Sequence, residues 1–368
     1  MVMVSVGRCC RLRLPDRLSS VLTCKYHTTP HLSISNGSVF DANLTASLDI
    51  PPFMSYAAAY ALFNYSFADP AIGTATYENM RLIRAFEKGL DSQSSEAGFV
   101  LTHIDMVKHT PTLIRGATDL LDTVANNSGK ESAIEAFADL LDSMKVIEAS
   151  MERMWAQSKP QDYISFRTFI FGLKDDKLFP QGVSYEGQED KAFYRGESGA
   201  NDSIIPLLDS LLEIPMPKNA LTDHLVSFRS YRPRPHREFL AYVRSRAQEA
   251  GVQKYCCADV DTAALYLRLL DHVRSFRWRH WLFAREYIIR RSSHPTATGG
   301  SPIVTWLPNQ LFAVMDLMCS VWEGIGEDER VGLDGKVREM MCNVEDQREK
   351  LAKEVTKWCS ERGVPEGK

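Results

Sequence analysis

The sequence predicts a mainly α-helical protein, with a large all-helical domain behind a small N-terminal one. Three observations carry that reading. Apolar residues recur at three and four residues over long stretches beyond residue 110, alternating strand patterns are scarce, and polar, glycine-bearing segments divide the periodic ones. The 368 residues are 44% hydrophobic and 24% charged, with a formal net charge of −4. That is an ordinary globular composition with ample length for a large core. The near-neutral balance, with no single basic stripe, argues against a nucleic-acid partner. "PPFMSYAAAYALF" is too short and too proline-rich at its start to span a membrane. Eight cysteines occur at irregular spacing with no C-x-x-C, which reads as a reduced intracellular protein.

Along the chain, residues 1–40 form a basic leader, with Arg8, Arg11, Arg13, Arg17 and Lys25 against the single acid Asp16. The bias suits either a disordered tail or a mitochondrial targeting segment interrupted by Pro15; otherwise the expected compartment is the cytoplasm. Residues 41–117 are less periodic and constitute the small domain, and 118–368 the large one. In "ESAIEAFADLLDSMKVIEASMERMW", Ile134, Phe137, Leu140, Leu141, Met144, Ile147, Met151 and Met154 make one apolar face, and Ser132 is placed to cap the helix. Residues 203–213 read as a short buried helix. Residues 259–290 read as one long helix opened by Asp259 and Asp261, which favour a helix N-terminus. The last helix, about 334–359, has its seam at Val337, Met341, Val344, Leu351, Val355 and Trp358. The segments "LFPQGVSYEG", "YRGESGANDS" and "RSSHPTATGGSP" are loops.

The stretch "FRWRHWLFAREYII" (276–289) raises the question of function. Helical spacing puts Val273, Phe276, Arg277, His280, Ala284 and Tyr287 on one side. A buried arginine is costly unless an anion meets it. An apolar slot with one imidazole and neighbouring guanidinium groups suits a haem, whose iron takes a neutral imidazole and whose two carboxylates take Arg. The same spacing also suits a histidine that is simply satisfied at a core boundary. No CxxCH occurs, so any haem would be held non-covalently. Arg167 offers a similar choice. "YISFRTFIFG" is so apolar that an unpaired guanidinium there would be expensive, which favours a bound anion over a surface ion pair.

Several segments, in order, resemble the indoleamine 2,3-dioxygenase family, particularly its fungal members: "TYENM" (76–80), "SEAGFVLTHIDMV" (95–107), "SKPQDYISFRTFIFG" (158–172), "GVSYEG" (182–187), "FYRGESGANDS" (193–203), "FRSYRPRPHREFL" (228–240), "FRWRHWLFAREYI" (276–288) and "TATGGSP" (296–302). The resemblance covers about 50–310. It implies a small domain on a large all-α one with haem b between them, ferrous in the working state. It further implies insertion of O₂ across the indole C2–C3 bond of L-tryptophan to give N-formylkynurenine, with an electron donor to keep the iron reduced, in a monomeric protein. His280 matches the proximal iron ligand, and Asp209 and Arg277 the acid and arginine beside the ligand and a haem carboxylate. Arg167 matches the residue that holds the substrate carboxylate, with Tyr163 or Phe166 against the indole. Tyr56, Ala59, Tyr60 and Phe99 fall on the indole pocket. Ser198 and Gly199 match the small residues beside the distal face. Thr298, with Gly299, matches the closing loop that contacts the substrate ammonium group. A paralogue acting on another indole, or a haem-binding sensor without catalysis, keeps most of the same residues.

Two departures stand out. His103 occupies the position where the better-known animal members carry a distal serine, so a neutral imidazole is available to accept the indole N–H. Only about 50 residues precede the Pro-Pro of the pocket segment, so the small domain is expected to be partly truncated.

Overall fold

The computed structural model describes residues 49, 56–57, 60, 64–170, 180–182, 190–196, 199–216, 220–292 and 303–366. The only sheet among them is a two-stranded antiparallel ribbon, β1 (Tyr65–Phe67) against β2 (Met80–Leu82), with Ser66 opposite Arg81. Everything larger is helix, as the periodicity predicts. The leader falls outside the described residues. No helix among them is long and apolar enough to cross a membrane, and the cysteines described form no disulfide.

α1 (Ser95–Val107) is fixed at its start by two devices. Ser94 accepts the Ala97 amide at 3.1 Å. The buried Glu96 carboxylate accepts the backbone amides of Phe86, Glu87, Lys88 and Gly89, so it binds the preceding loop to the helix. Gly98 lets α1 cross the chain at Gln157 with backbone nearly touching backbone. A Cβ there would lie 1.9 Å from the Gln157 carbonyl oxygen.

α2 (Thr110–Asn126) and α3 (Lys130–Glu152) pack as an antiparallel pair. α2 runs unbroken through residue 117, where a division between domains was expected. α3 also differs from expectation at its start. It begins two residues before Ser132, at Lys130, whose ammonium group pairs with Asp259 at 2.8 Å and Asp261 at 2.5 Å. Its buried stripe uses Ala133 and Ala136 ahead of Phe137, Leu140, Met144 and Ile147, and Ile134 is 40% exposed. The small residues let α2 approach so closely that a Cβ on Gly116 would meet the Ala136 carbonyl at 2.9 Å.

Two short helices follow, α4 (Met154–Gln157) and α5 (Pro160–Arg167), then α6 (Ile204–Leu211), α7 (Ala220–Phe228), α8 (Arg234–Ala250) and α9 (Val252–Cys256). α10 (Val260–Ala284) starts where the aspartates indicate, with Asp259 accepting the amides of Asp261 and Thr262. It continues into a π-helical turn at Arg285–Ile289. α11 (Ile303–Gly324), α12 (Glu327–Gly332) and α13 (Gly335–Arg362) complete the chain, and α13 carries Val337, Met341, Val344 and Leu351 inward as expected. α10 packs between α3 and α11, and α11 against α13, which makes α10 central.

The apolar interior divides into two clusters. The larger joins the faces of α2, α3, α6, α8, α10, α11 and α13. The smaller gathers Tyr56 and Tyr60 with Met80 and Leu82 of β2 and with Ala97, Val100, Leu101 and Ile104 of α1. Phe99 packs against both.

Candidate active site

A cavity of about 640 Å³ opens between α1, α5, α6, α8, α10 and α11. The cavity brings His103 and His280 into one space, together with Tyr56, Tyr60, Phe99, Tyr163, Gly199, Asp209 and Arg277. α10 contributes Phe276, Arg277, His280, Phe283 and Ala284, with Tyr287 and Ile288 from the π turn; this is the face that helical spacing predicts, except that Val273 is fully buried.

His280 is solvent-accessible, but the surface it exposes forms part of the cavity wall. Burial by the surrounding protein pushes its pKa down to about 4, with His103 contributing further through like-charge repulsion. His103 is likewise held at about 4, by burial, against the opposing effect of its bond to the Phe99 carbonyl. Both imidazoles are therefore neutral at physiological pH. The tautomer of His103 follows from its partner. Nδ1 lies 2.7 Å from the Phe99 carbonyl oxygen, which can only accept, so Nδ1 carries the proton and Nε2 is left as an acceptor.

Around His103 the wall is aromatic. Tyr56 and Tyr60 stack at 5.4 Å, Phe99 lies 4.6 Å from the His103 ring, and Tyr163 lies 5.2 Å from Phe99 and 5.7 Å from Tyr287. A flat apolar ring is what such a pocket accommodates. Phe166 and Arg167 do not line it. Phe166 packs behind Phe99, and Arg167, 2% exposed, lies one turn after Tyr163 and shares a hydrogen bond with its hydroxyl. Burial pushes the Arg167 pKa down while Tyr163 supports the charge.

The opposite end of the cavity is polar. Arg277 donates from Nη2 to both Asp209 carboxylate oxygens, at 2.8 and 2.7 Å, and from Nη1 to the Gln310 carbonyl at 3.1 Å. Burial raises the Asp209 pKa, opposed by Arg277 and, more weakly, by Arg244 and Arg232. The anion facing Arg277 is thus an aspartate from α6. Arg279 points away from the cavity, to Glu148 at 2.9 Å and to Glu152. The spacing suited these arginines to the carboxylates of a haem; in the fold Arg277 meets the Asp209 carboxylate that the resemblance sets beside it, and Arg279 meets Glu148 and Glu152. Ala59, Ser198, Thr298 and Gly299 lie outside the described residues.

Four further arginines on this wall, Arg229, Arg232, Arg237 and Arg244, were missed from the sequence, as was Asp202. Arg229 follows α7 directly, and Arg237 and Arg244 sit two turns apart on α8, a periodicity that places them together but does not say what they face.

The residues fit a haem. Among the described residues no three His, Cys, Asp or Glu side chains converge as a metal cage. What the cavity offers iron is single imidazoles on apolar walls, the donor set suited to a metal already held by a macrocycle. A Cβ added to Gly199, which also lines the cavity, would meet nothing within 4 Å among the described residues.

Fold and site define a class: a mainly helical protein built around an internal, largely apolar cavity flanked by neutral histidines. The family model for indoleamine 2,3-dioxygenase matches residues 38–310. The chain is 25% identical to the indoleamine 2,3-dioxygenase of Saccharomyces cerevisiae, over 70% of this chain and 59% of that protein. It is 26% identical to indoleamine 2,3-dioxygenase 1 of Mus musculus, over 70% of this chain and 62% of that protein. It is 24% identical to a 6-hydroxytryptophan 2,3-dioxygenase of Fusarium equiseti, over 74% and 66%. The chain belongs to the indoleamine 2,3-dioxygenase family. It spans about six-tenths of the length of the first two of these relatives.

Proposed function

We propose that this chain is a haem-dependent dioxygenase that opens the indole ring of L-tryptophan to N-formylkynurenine. The observation that carries the reading is the pair of neutral imidazoles, His103 and His280, in one aromatic-walled cavity of a family member. His280 would hold the iron of haem b. When bound and kept ferrous by an electron donor, the haem supplies the activation of dioxygen that adds both oxygen atoms across the C2–C3 bond.

The chain's own residues bind and orient. Tyr56, Tyr60, Phe99 and Tyr163 surround a planar ring and exclude water from it. Nε2 of His103 accepts the indole N–H, which fixes the ring's rotation in the pocket. A substrate carboxylate that displaced the Tyr163 hydroxyl would reach the Arg167 guanidinium, which pairs with carboxylates in a bidentate way and keeps its charge when buried. Ser198 and Gly199 would leave room for the substrate beside the haem, and Thr298 and Gly299 would close over its ammonium group.

One observation favours a ring-hydroxylated tryptophan as substrate. Asp202 places a carboxylate on the cavity wall, raised by burial to about 6, with a hydrogen bond from Tyr56. A carboxylate beside an aromatic pocket can accept a substrate hydroxyl, and the Fusarium relative is named for such a substrate.

The test is the purified chain reconstituted with haem, reduced, and supplied with dioxygen and a panel of indoles. Formation of the N-formylkynurenine chromophore supports the reading, and the preferred indole decides between the substrates. The His280→Ala variant should fold with native helix content and lose tight haem binding. A normal haem spectrum in that variant would remove the ligand assignment, and a haem-loaded, reduced wild type that turns over no indole would remove the dioxygenase.

A further inference from the structure

We infer that Glu354, on α13, is a positioning residue for the iron ligand His280; the inference rests on the proposed haem reading. The family model ends at residue 310, before α13 begins, so this helix lies outside the part of the chain that defines the family. It nevertheless runs alongside α10, which carries His280. Polar ties join the two along their length. Asp334, the residue before α13, accepts from Arg268 at 3.0 Å. Gln347 accepts from Arg274. Glu354 accepts from the Trp281 indole at 2.7 Å and from Arg285 at 2.6 Å. Arg362 donates to the carbonyls of Ile289 and Ser292, at 2.6 and 2.7 Å.

The tied residues rise together in number on both helices, so α10 and α13 run parallel. From Arg274 through Trp281 to Ile289 the steps are seven and eight residues, and from Gln347 through Glu354 to Arg362 they are again seven and eight. Successive ties are thus two turns apart on each helix, which keeps them on one seam. A slip of α13 by one turn would break all of them at once.

Glu354 acts at the turn that presents the ligand. Trp281 follows His280 directly, and adjacent helix residues lie about 100° apart around the axis. Trp281 therefore faces α13 while His280 faces the cavity. Trp281 is fully buried, so its N–H needs an acceptor inside the protein, and the Glu354 carboxylate is that acceptor. The same carboxylate holds Arg285, one turn further on. Fixing these two side chains fixes the rotation of α10 about its own axis where His280 projects from it. The ties to α3 lie on the other side of His280 in the chain: His272, Ser275 and Arg279 all meet Glu148. After it come the ties to α13, joined by the Tyr287 hydroxyl, which donates to the carbonyls of Met154 and Ser158.

The experiment reads the iron–imidazole bond rather than turnover. The full chain is loaded with haem and reduced, and its iron–imidazole stretching band is recorded by resonance Raman; haem loss to an excess of haem-free globin is timed in parallel. The variants are Glu354→Ala, Glu354→Gln and, as a control for stability, Val337→Ala, which removes buried methyl groups near the start of α13 without touching the tie. Circular dichroism checks the helix content of each. Glu354→Ala should shift or broaden the band and speed haem loss about tenfold, the low end of what losing a residue that supports a metal ligand costs. Glu354→Gln keeps an acceptor for Trp281 but no charge for Arg285, and should fall between Glu354→Ala and the wild type. Val337→Ala should lower the unfolding midpoint and leave the band in place. A band unmoved by Glu354→Ala overturns the inference; should that variant not fold, an unmoved band in Glu354→Gln overturns it instead. So does a band that Val337→Ala moves as far, which would make α13 a brace of general stability only. A wild type that binds haem without such a band removes His280 as the ligand, and one that binds no haem removes the haem reading; the inference falls with either.

Discussion

Removing the Asp209 carboxylate tests whether the cavity's polar end is held by its ion pair. Both side chains are about one-tenth exposed, and one guanidinium nitrogen, Nη2, reaches both carboxylate oxygens at 2.7 and 2.8 Å. Substituting Asp209→Ala leaves Arg277 buried with the Gln310 carbonyl as its remaining hydrogen-bond acceptor among the described residues. Breaking a buried pair from one side costs about 3–5 kcal/mol. The cavity admits some solvent to Arg277, which puts the expected value near ~3 kcal/mol, a large fraction of a typical total of about 5–15 kcal/mol. The pair as a whole contributes far less, because burial opposes the charged carboxylate, as the raised pKa of Asp209 indicates. The double variant Asp209→Leu/Arg277→Met should therefore recover most of the loss. Urea unfolding of the metal-free chain, followed by circular dichroism, measures all corners of the cycle. A loss below about 1 kcal/mol for Asp209→Ala, or a double variant as unstable as the two single changes added together, would refute the reasoning.

Three other consequences can be measured. His103 and His280 have pKa values of about 4 in the folded chain against 6.5 in the unfolded one, so the unfolded chain binds more protons between those values. Stability of the haem-free chain should fall as pH drops from about 6.5 to about 4 and be insensitive to these groups above 6.5, and His103→Gln should make the decline shallower by up to one proton; equal stability at pH 4.5 and 7.5 would contradict this. Gly98→Ala places a Cβ where the Gln157 carbonyl stands and should cost about 1–3 kcal/mol while shifting the helix that carries His103; an unchanged unfolding midpoint would show that α1 moves freely. Arg167→Ala should raise the KM for tryptophan at least tenfold with an unaltered Soret band, and an unchanged KM would free Arg167 from substrate binding.

Much of this protein was legible in local order. Spacing alone located α3, α6, α10 and α13 to within a few residues, because the face a side chain occupies on a helix depends only on its own register. Spacing also placed Arg277, His280 and Ala284 of α10 and Tyr287 of its π-helical continuation on one wall. The ordered motifs named His103, a residue whose chemistry no single helix reveals. What the sequence could not settle was which groups meet. Asp209 and Arg277 are 68 residues apart, and nothing local says that a carboxylate from α6 would reach that guanidinium. The same limit hid the convergence of Arg229 and Arg244 and the position of Arg167 behind Tyr163. Ile134 is exposed because α2 packs so closely on Ala133 and Ala136 that the buried stripe turns toward the small residues. Local periodicity fixes directions within an element; burial and charge pairing depend on distances between elements, and those are set only when the whole core closes.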